Sequence, residues 1–205
     1  MFIVFEGLDG SGTTTQSAAL AQALRAAGHE VVLTHEPSEG PIGVMIRQAL
    51  RRRLTLPNQE ALDHRSLALL FAADRIDHLR ALVEPALARG AIVISDRYVH
   101  SSLAYQGATL DMHWVDALNA QARIADLVLW IDVPVDECLR RMALRGGEAE
   151  LFENQRALEA VLGRYEQAMA LRPERTRRVE GVGSPDEIFA SVLAALRELA
   201  PELLP

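Results

Sequence analysis

The sequence contains no lysine, and all 21 of its basic residues are arginines. Lysine is among the commonest residues of ordinary proteins, so its absence is a property of the whole chain. A GC-rich genome and deliberate engineering would both give this composition, and the sequence does not separate them. A missing lysine at any one position therefore belongs to a general pattern and is not by itself evidence of a lost function.

Disulfides, membrane-length apolar runs and excess positive charge are also lacking. Cys138 is the only cysteine, which excludes an intramolecular disulfide framework and suits a reducing compartment. The N-terminal residues show neither the basic stretch of a signal peptide nor an apolar run long enough to cross a bilayer. The net charge of −7 argues against non-specific nucleic-acid binding, which favours basic proteins. We therefore expect a cytoplasmic protein whose partners include neither a membrane nor a nucleic acid.

What the chain does contain is a regular alternation of short apolar runs and helical segments. The apolar runs predict five strands, at residues 2–5, 31–33, 91–95, 127–131 and 177–179. The longest predicted helix runs from Asn58 to about Val83, and the last begins at Ser184, with Pro185 in its first turn. Strands that alternate with helices form a parallel sheet covered on both faces. The sequence thus predicts an α/β fold, a doubly wound five-stranded parallel sheet, with residues 1–205 in a single domain.

A glycine-rich loop follows the first predicted strand and leads into a helix. Gly7 and Gly12 hold the glycine positions of the phosphate-loop pattern G-x-x-x-x-G-K-[ST], and Thr14 holds its last position. Gly10 and Gly12 allow backbone N–H groups to turn toward an anion, next to the positive end of the helix. Thr13 stands at the lysine position, so positive charge must come from backbone N–H groups, Mg²⁺ and nearby arginines. The alternative is a tight turn that binds no ligand.

The loop residues are expected to bind a metal ion and nucleotide phosphates. The hydroxyl of Thr14 is of the type that ligates a Mg²⁺ ion shared with phosphates. The residues predicted to bind nucleotide phosphates are Gly7, Gly10, Ser11, Gly12, Thr13, Thr14 and Thr15.

Polar residues also follow the other predicted strands. Asp96 directly follows the third strand and suits a role in holding Mg²⁺, and Arg97 beside it suits a phosphate. Glu36 and Pro37 follow the second strand. The carboxyl ends of parallel strands meet at one edge of a sheet, where ligands bind in such folds. Alone, Asp96 and Arg97 would more often be an ion pair at a strand end; their place beside the glycine loop favours the functional interpretation.

Two further segments are candidates for substrate contact. Phe71, with Asp74 and Arg75 beside it, offers a stacking face and a hydrogen-bonding arm, although alone it would be a core aromatic. A run of arginines leads into Gly146 and Gly147, and this segment, at about residues 140–152, is a candidate lid. Such a charge run is otherwise most often a solvated helix face.

Together these motifs resemble the thymidylate kinase family over nearly the whole chain. The matching residues are 6–12, 14–16, 36–37, 42–43, 46–47, 70–75 and 96–107. The resemblance implies the fold of the nucleoside monophosphate kinases. It implies that ATP phosphorylates dTMP to give dTDP and ADP, with Mg²⁺ as the cofactor, in a homodimer.

The resemblance also assigns residues to the nucleoside. Phe71 would stack on thymine and Arg75 would reach the edge of the base. Ser102 and Gln106 would approach the base, and Tyr105 would pack on the deoxyribose and disfavour a 2′-hydroxyl. The full set of implied substrate-binding residues is Asp9, Glu36, Pro37, Arg47, Phe71, Arg75, Arg97, Ser102, Tyr105 and Gln106.

For the transfer step, the resemblance implies that Asp9 lies near the sugar and phosphate and that Arg47 and Arg97 hold the phosphate. The loop has no arginine between Asp9 and Gly12, which is the bacterial pattern, in which the lid provides the catalytic arginine. Arg145 is the first candidate, and Arg140 and Arg141 are others.

The sequence departs from the family pattern in three places. Thr13 replaces the loop lysine, His35 stands where an arginine usually precedes Glu-Pro, and the lid segment is short and acidic, with Glu148 and Glu150. The first departure leaves open a catalytically impaired nucleotide-binding paralogue. A kinase for another nucleoside monophosphate is a further alternative.

Overall fold

The computed structural model describes residues 1–144, 151–172 and 174–204. The strands are β1 (Phe2–Gly7), β2 (Val31–His35), β3 (Ile92–Asp96), β4 (Leu127–Asp132) and β5 (Thr176–Glu180). They form one parallel sheet in the order β2-β3-β1-β4-β5. The fold is the α/β, five-stranded parallel sheet that the alternation predicts.

Helices connect the strands and cover both faces of this sheet. The helices before β3 are α1 (Thr13–Ala26), α2 (Pro41–Leu50), α3 (His64–His78) and α4 (Glu84–Ala88). Those that follow are α5 (Val99–Tyr105), α6 (Met112–Leu118), α7 (Val135–Leu144), α8 (Leu151–Leu171) and α9 (Pro185–Leu199). No helix in the described part of the chain combines the length and apolar character needed to cross a membrane.

Strand β1 explains how the core is divided. Its side chains alternate between the two faces, because successive residues of a strand point in opposite directions. Phe2 and Val4 belong to one buried cluster, and Ile3 and Phe5 belong to the other. An apolar run without polar alternation is what a central strand covered on both faces requires.

The strand register brings the candidate residues to one edge of the sheet. Phe5 of β1 and His35 of β2 both pair with Asp96 of β3. On the other side of β1, Gly7 pairs with Ile131. The segments after β1, β2 and β3 therefore leave the sheet side by side.

The helix expected from residue 58 begins later. The Asn58 side chain accepts a hydrogen bond from the backbone N–H of Glu60, which forms a local turn, and the carboxylate of Asp63 caps α3. At the other end, α3 continues through a π-helical turn, Leu79–Val83, into α4. The wider turn precedes Pro85, whose ring would clash with the carbonyl group four residues earlier in a regular α-helix.

Candidate nucleotide-binding site

The glycine-rich loop surrounds a cavity at the start of α1. Gly10 and Gly12 have φ angles of 87° and 97°, a conformation that glycine adopts without strain, and Gly12 is the N-cap of α1. The cavity has a volume of about 570 Å³. Its lining residues are Leu8, Asp9, Gly10, Gly12, Thr13, Thr14, Thr15, Arg97 and Met142. Among the described residues, Arg97 is the only cationic side chain that lines this cavity.

Thr14 and Asp96 meet at the base of the loop. The Thr14 hydroxyl donates a hydrogen bond to Oδ2 of Asp96, whereas Oδ1 of Asp96 is buried without a partner in the described structure. A carboxylate oxygen left without a donor, next to a threonine hydroxyl at the loop, is the oxygen donor set that Mg²⁺ prefers. The residues present therefore fit the metal that the loop pattern implies.

The guanidinium group of Arg97 is fixed between the loop and the neighbouring helix. It donates hydrogen bonds to the carbonyl oxygen of Gly7 at 2.9 Å, to Oδ1 of Asp9 at 2.6 Å and to Oγ of Ser101 at 3.0 Å. It also lies over the ring of Tyr105, 5.1 Å from the centroid. The φ angle of Arg97 is 74°, which is uncommon for a residue other than glycine and marks a constrained site.

A second cavity, of about 290 Å³, lies beside the first and shares Asp9 and Arg97 with it. It is lined by nine of the predicted substrate-binding residues, Asp9, Glu36, Pro37, Phe71, Arg75, Arg97, Ser102, Tyr105 and Gln106. Its three other lining residues, Leu50, Tyr98 and Ser101, are not among the predicted substrate-binding residues. The structure thus brings these predicted residues together; the contact of each with a ligand stays a prediction.

Arg75 is held inside this cavity by buried partners. Its guanidinium pairs with Glu36 at 2.7 Å, and the side chains are only 1% and 3% exposed. It also donates to Oγ of Ser102 at 3.1 Å and to Oδ1 of Asn119. Asn119 lies directly after α6 and was not recognised from the sequence, where nothing marks it. Arg75 lines the cavity as a rigid group whose position these partners determine.

Arg47 is the exception among the predicted substrate-binding residues, since it does not line the second cavity. Its guanidinium donates to the carbonyl oxygens of Pro37 and Ser38 at 2.8 and 2.6 Å and pairs with Glu39 at 3.0 Å. These contacts hold the segment after β2 against α2. A role of Arg47 in binding phosphate stays a prediction.

The arginines of α7 border the other side of the loop. Arg141 donates to the carbonyl oxygens of Ser11 and Gly181, at 3.2 and 2.8 Å, and to the carboxylate of Glu137. Arg140 also pairs with Glu137, and hydrogen bonds from both arginines lower the pKa of that carboxyl to about 2. Arg145 and residues 146–150 of the predicted lid lie outside the described residues.

Glu6 is a further buried residue of the site. It accepts hydrogen bonds from the backbone N–H groups of Tyr98 and Ser101, at 2.9 and 3.1 Å, and from the Ser101 hydroxyl. Burial raises the pKa of its carboxyl. A charged residue inside an apolar strand is an anomaly that the sequence shows, and it could have indicated this role.

The site combines a phosphate loop that leads into a helix with a neighbouring cavity that shares an arginine with it. On a five-stranded parallel sheet, this combination defines a P-loop nucleoside monophosphate kinase. The profile of the thymidylate kinase family matches residues 5–192. The chain belongs to this family.

Relatives from archaea and bacteria agree with this assignment. A probable thymidylate kinase of Pyrococcus horikoshii is 39% identical over 197 residues, which cover 96% of this chain and 95% of the relative. A probable thymidylate kinase of Thermococcus kodakarensis is 45% identical over 165 residues, 76% of this chain and 79% of the relative. A thymidylate kinase of Gluconobacter oxydans is 36% identical over 207 residues, 97% and 94% of the two chains.

Proposed function

We propose that this protein transfers the γ-phosphoryl group of ATP to dTMP, giving dTDP and ADP. The observation that carries the proposal is that Arg97 lines both cavities, the one at the phosphate loop and the one beside it. Phosphoryl transfer depends on bringing donor and acceptor phosphates together and neutralising their charge. A cation fixed between two adjacent cavities meets both requirements.

The second cavity suits a pyrimidine deoxynucleotide. In our proposal Phe71 stacks on the base, and Arg75, Ser102 and Gln106 provide polar groups at its edge. The ring of Tyr105 packs on the sugar, and Arg97 holds the phosphate near Asp9. The Arg75–Glu36 pair is fully buried, so the polar edge of the cavity is fixed before the substrate arrives.

The base of ATP has a separate candidate cavity, of about 310 Å³, on the outer side of the phosphate loop. Arg140, Arg141 and Gln16 line it together with Pro185. A guanidinium group stacks well on a flat aromatic base. We assign to Arg141 the further role of bracing the loop through the carbonyl oxygen of Ser11, and Arg145 remains a candidate for the charge of the transition state.

Mg²⁺ is the expected cofactor, and Thr14 and Asp96 are the residues that would hold it. When bound, the ion neutralises phosphate charge and orients the phosphoryl group. The chain's own contribution is separate: backbone N–H groups of the loop hold the phosphates, and Arg97 positions the acceptor.

Thr13 favours a second candidate function, nucleotide binding without turnover. Losing one preorganised charge contact commonly lowers the rate by about 10²–10³. Arg97 at the loop cavity argues for slow but real turnover, because it places a positive charge where the loop needs one. A kinase for another nucleoside monophosphate is the third candidate.

A coupled assay of ADP formation with ATP, Mg²⁺ and each nucleoside monophosphate separates the three candidates. Our proposal predicts turnover with dTMP that exceeds turnover with the other monophosphates. Absence of turnover with any acceptor, together with measurable ATP binding, would favour the nucleotide-binding alternative. A preference for another acceptor would favour the third.

We further propose that the protein is a homodimer. Exposed large apolar side chains cluster on three neighbouring helices, α2, α3 and α6. They are Val44, Met45, Leu69, Ile76 and Trp114, each 37–51% exposed. Large apolar side chains that stay exposed on neighbouring helices are typical of a surface that a partner covers, and a second copy of the same chain is the commonest such partner. Sedimentation analysis of wild-type protein and of Leu69→Glu tests this, since the substitution should favour monomers.

A further inference from the structure

The hydroxyl group of Tyr165 contacts Arg97, the arginine that lines both cavities. Tyr165 lies on α8, and its side chain is fully buried. Its oxygen is 2.9 Å from the carbonyl oxygen of Gly7, 2.8 Å from Oγ of Ser101 and 3.1 Å from a carboxylate oxygen of Glu6. Nη1 of Arg97 lies 3.1 Å away. One phenol thus connects β1, α5 and the segment after β3.

The protons in this cluster can be assigned from chemistry. A guanidinium only donates and a carbonyl oxygen only accepts, so the phenol accepts from Arg97 and is free to donate to Gly7. The Ser101 hydroxyl donates to Glu6 at 2.6 Å and accepts from Arg97 at 3.0 Å. Burial raises the pKa of Tyr165 well above its ordinary value, so the phenol keeps its proton at neutral pH.

These contacts determine where the Arg97 guanidinium lies. Nη1 faces three oxygen atoms, from Gly7, Ser101 and Tyr165, at 2.9–3.1 Å, whereas Nη2 pairs with Asp9. The planar guanidinium group binds a phosphate with two parallel hydrogen bonds only when its plane is correctly oriented. Because Thr13 carries no charge, the orientation of this one arginine matters more here than in a loop that has its lysine.

We propose that Tyr165 is a positioning residue, whose hydroxyl holds the Arg97 guanidinium against the carbonyl group of Gly7 in the orientation that binds the acceptor phosphate. The inference rests on the proposed function, since it takes the acceptor to be a nucleoside monophosphate. Tyr165 acts through Arg97 and has no contact of its own with the reacting atoms.

Tyr165→Phe tests the proposal, because it removes the hydroxyl and keeps the ring that packs against Tyr105 and Trp130. Dissociation constants are measured for dTMP and for thymidine, which lacks the phosphate. We expect affinity for dTMP to fall about 10-fold, the usual loss for a hydrogen bond that involves a charged group, and affinity for thymidine to stay unchanged.

Val161→Ala is the matched control. Val161 is one helical turn before Tyr165 on α8 and is buried in the apolar core. This variant should lower the unfolding temperature but leave the ratio of dTMP to thymidine affinity at the wild-type value. If Tyr165→Phe weakens dTMP and thymidine binding equally, or changes neither, the positioning role is wrong.

A double-mutant cycle with Arg97→Lys provides the second test. If Tyr165 acts through Arg97, Tyr165→Phe should cost little further dTMP affinity once Arg97 is replaced. If the fold losses of dTMP affinity in the two single variants multiply in the double variant, the proposal is wrong.

These binding measurements do not depend on turnover. Wild-type protein that binds dTMP more tightly than thymidine but forms no dTDP would refute the proposed kinase activity and leave the Tyr165 comparison intact. Wild-type protein that binds dTMP and thymidine equally would refute the Tyr165 proposal, because Arg97 would then not hold the phosphate, and would leave the kinase activity to the turnover assay.

Discussion

At the scale of single residues, the notable feature is a phosphate loop whose charged residue is absent. Thr13 occupies the lysine position and is buried, and Arg97 reaches the same cavity from the segment after β3. Arg97 is anchored to the loop by the carbonyl oxygen of Gly7. Among the described residues, the positive charge at the loop cavity therefore comes from a side chain that also lines the second cavity.

Restoring the lysine should increase turnover. We expect Thr13→Lys to raise kcat by at least about 10-fold, because one preorganised charge contact is commonly worth about 10²–10³ in rate and Arg97 replaces part of it. Steady-state kinetics with saturating ATP and dTMP checks this. Thr13→Met, which has a long uncharged side chain, is the control and should not show the increase. An unchanged rate for Thr13→Lys would mean that charge at position 13 does not limit catalysis.

Phe71 should contribute to base binding through its ring. Phe71→Ala is expected to raise the KM for dTMP about 10-fold or more, since base–aromatic stacking is worth about 1–3 kcal/mol. The KM for ATP should not change. Phe71→Tyr retains the aromatic face and serves as the matched variant, with a KM near the wild-type value. Equal effects on both nucleotides would assign Phe71 to the core.

At the scale of elements, the last helix offers a clear test of local stability. Ser184, where the sequence predicts the start of the last helix, forms a complete capping box with Glu187 at the start of α9. Ser184→Ala should lower the free energy of unfolding by about 1 kcal/mol, the usual cost of losing a cap. Ser191→Ala makes the same change at an exposed position within α9 and should not destabilise the protein, because alanine is the better helix former. Urea unfolding of both variants checks this, and equal effects would mean that the cap does not contribute.

How much of the fold the sequence predicts depends on how local the determining interactions are. Strand β1 was predictable because a short apolar run that ends at a glycine-rich loop is typical of a strand covered on both faces. The start of α3 was not, because Asn58 and Asp63 are both good caps and only the folded chain shows that Asn58 forms a turn of its own.

The same distinction holds for the candidate site. The phosphate loop was predictable because the spacing of its glycines and of Thr14 is specific to that loop. Most residues that line the second cavity followed from the family resemblance. Asn119 and Tyr165 were missed because each contributes a single polar group from a distant helix. No local pattern in the sequence marks such long-range contacts.

At the scale of the whole molecule, stability should fall in acid because of one buried histidine. Burial lowers the pKa of His100 from 6.5 to about 3, and neither ring nitrogen has a partner in the described structure. The unfolded chain therefore takes up a proton below pH 6.5 that the folded chain does not. The contribution of His100 to the free energy of unfolding is fully present above pH 6.5. It is lost as the pH falls toward 3, by up to about 1.4 kcal/mol per pH unit.

Urea unfolding at pH 7.5, 6.0 and 5.0 measures this effect. His100→Leu should weaken the pH dependence, whereas His113→Leu, at an exposed position, should keep it. Other buried groups change the free energy of unfolding with pH equally in both proteins, so their contributions cancel when His100→Leu is compared with the wild type. One such group is Glu6, whose raised pKa makes the free energy of unfolding change with pH in the opposite direction. An identical pH dependence in the wild type and in His100→Leu would assign the effect to other groups.

The organisation of residues 1–205 as one domain, with a lid at about 140–152, stays a prediction, as do the cytoplasmic location and the dimer. In the proposed function, two adjacent cavities that share Arg97 bring ATP and dTMP together for direct transfer. Incubation with ATP labelled at the γ-phosphate, Mg²⁺ and dTMP, followed by separation of the nucleotides, tests it most directly. We predict label in dTDP that depends on dTMP and is strongly reduced in Arg97→Met. Label that stays in ATP, or appears only as free phosphate, would refute direct transfer to dTMP.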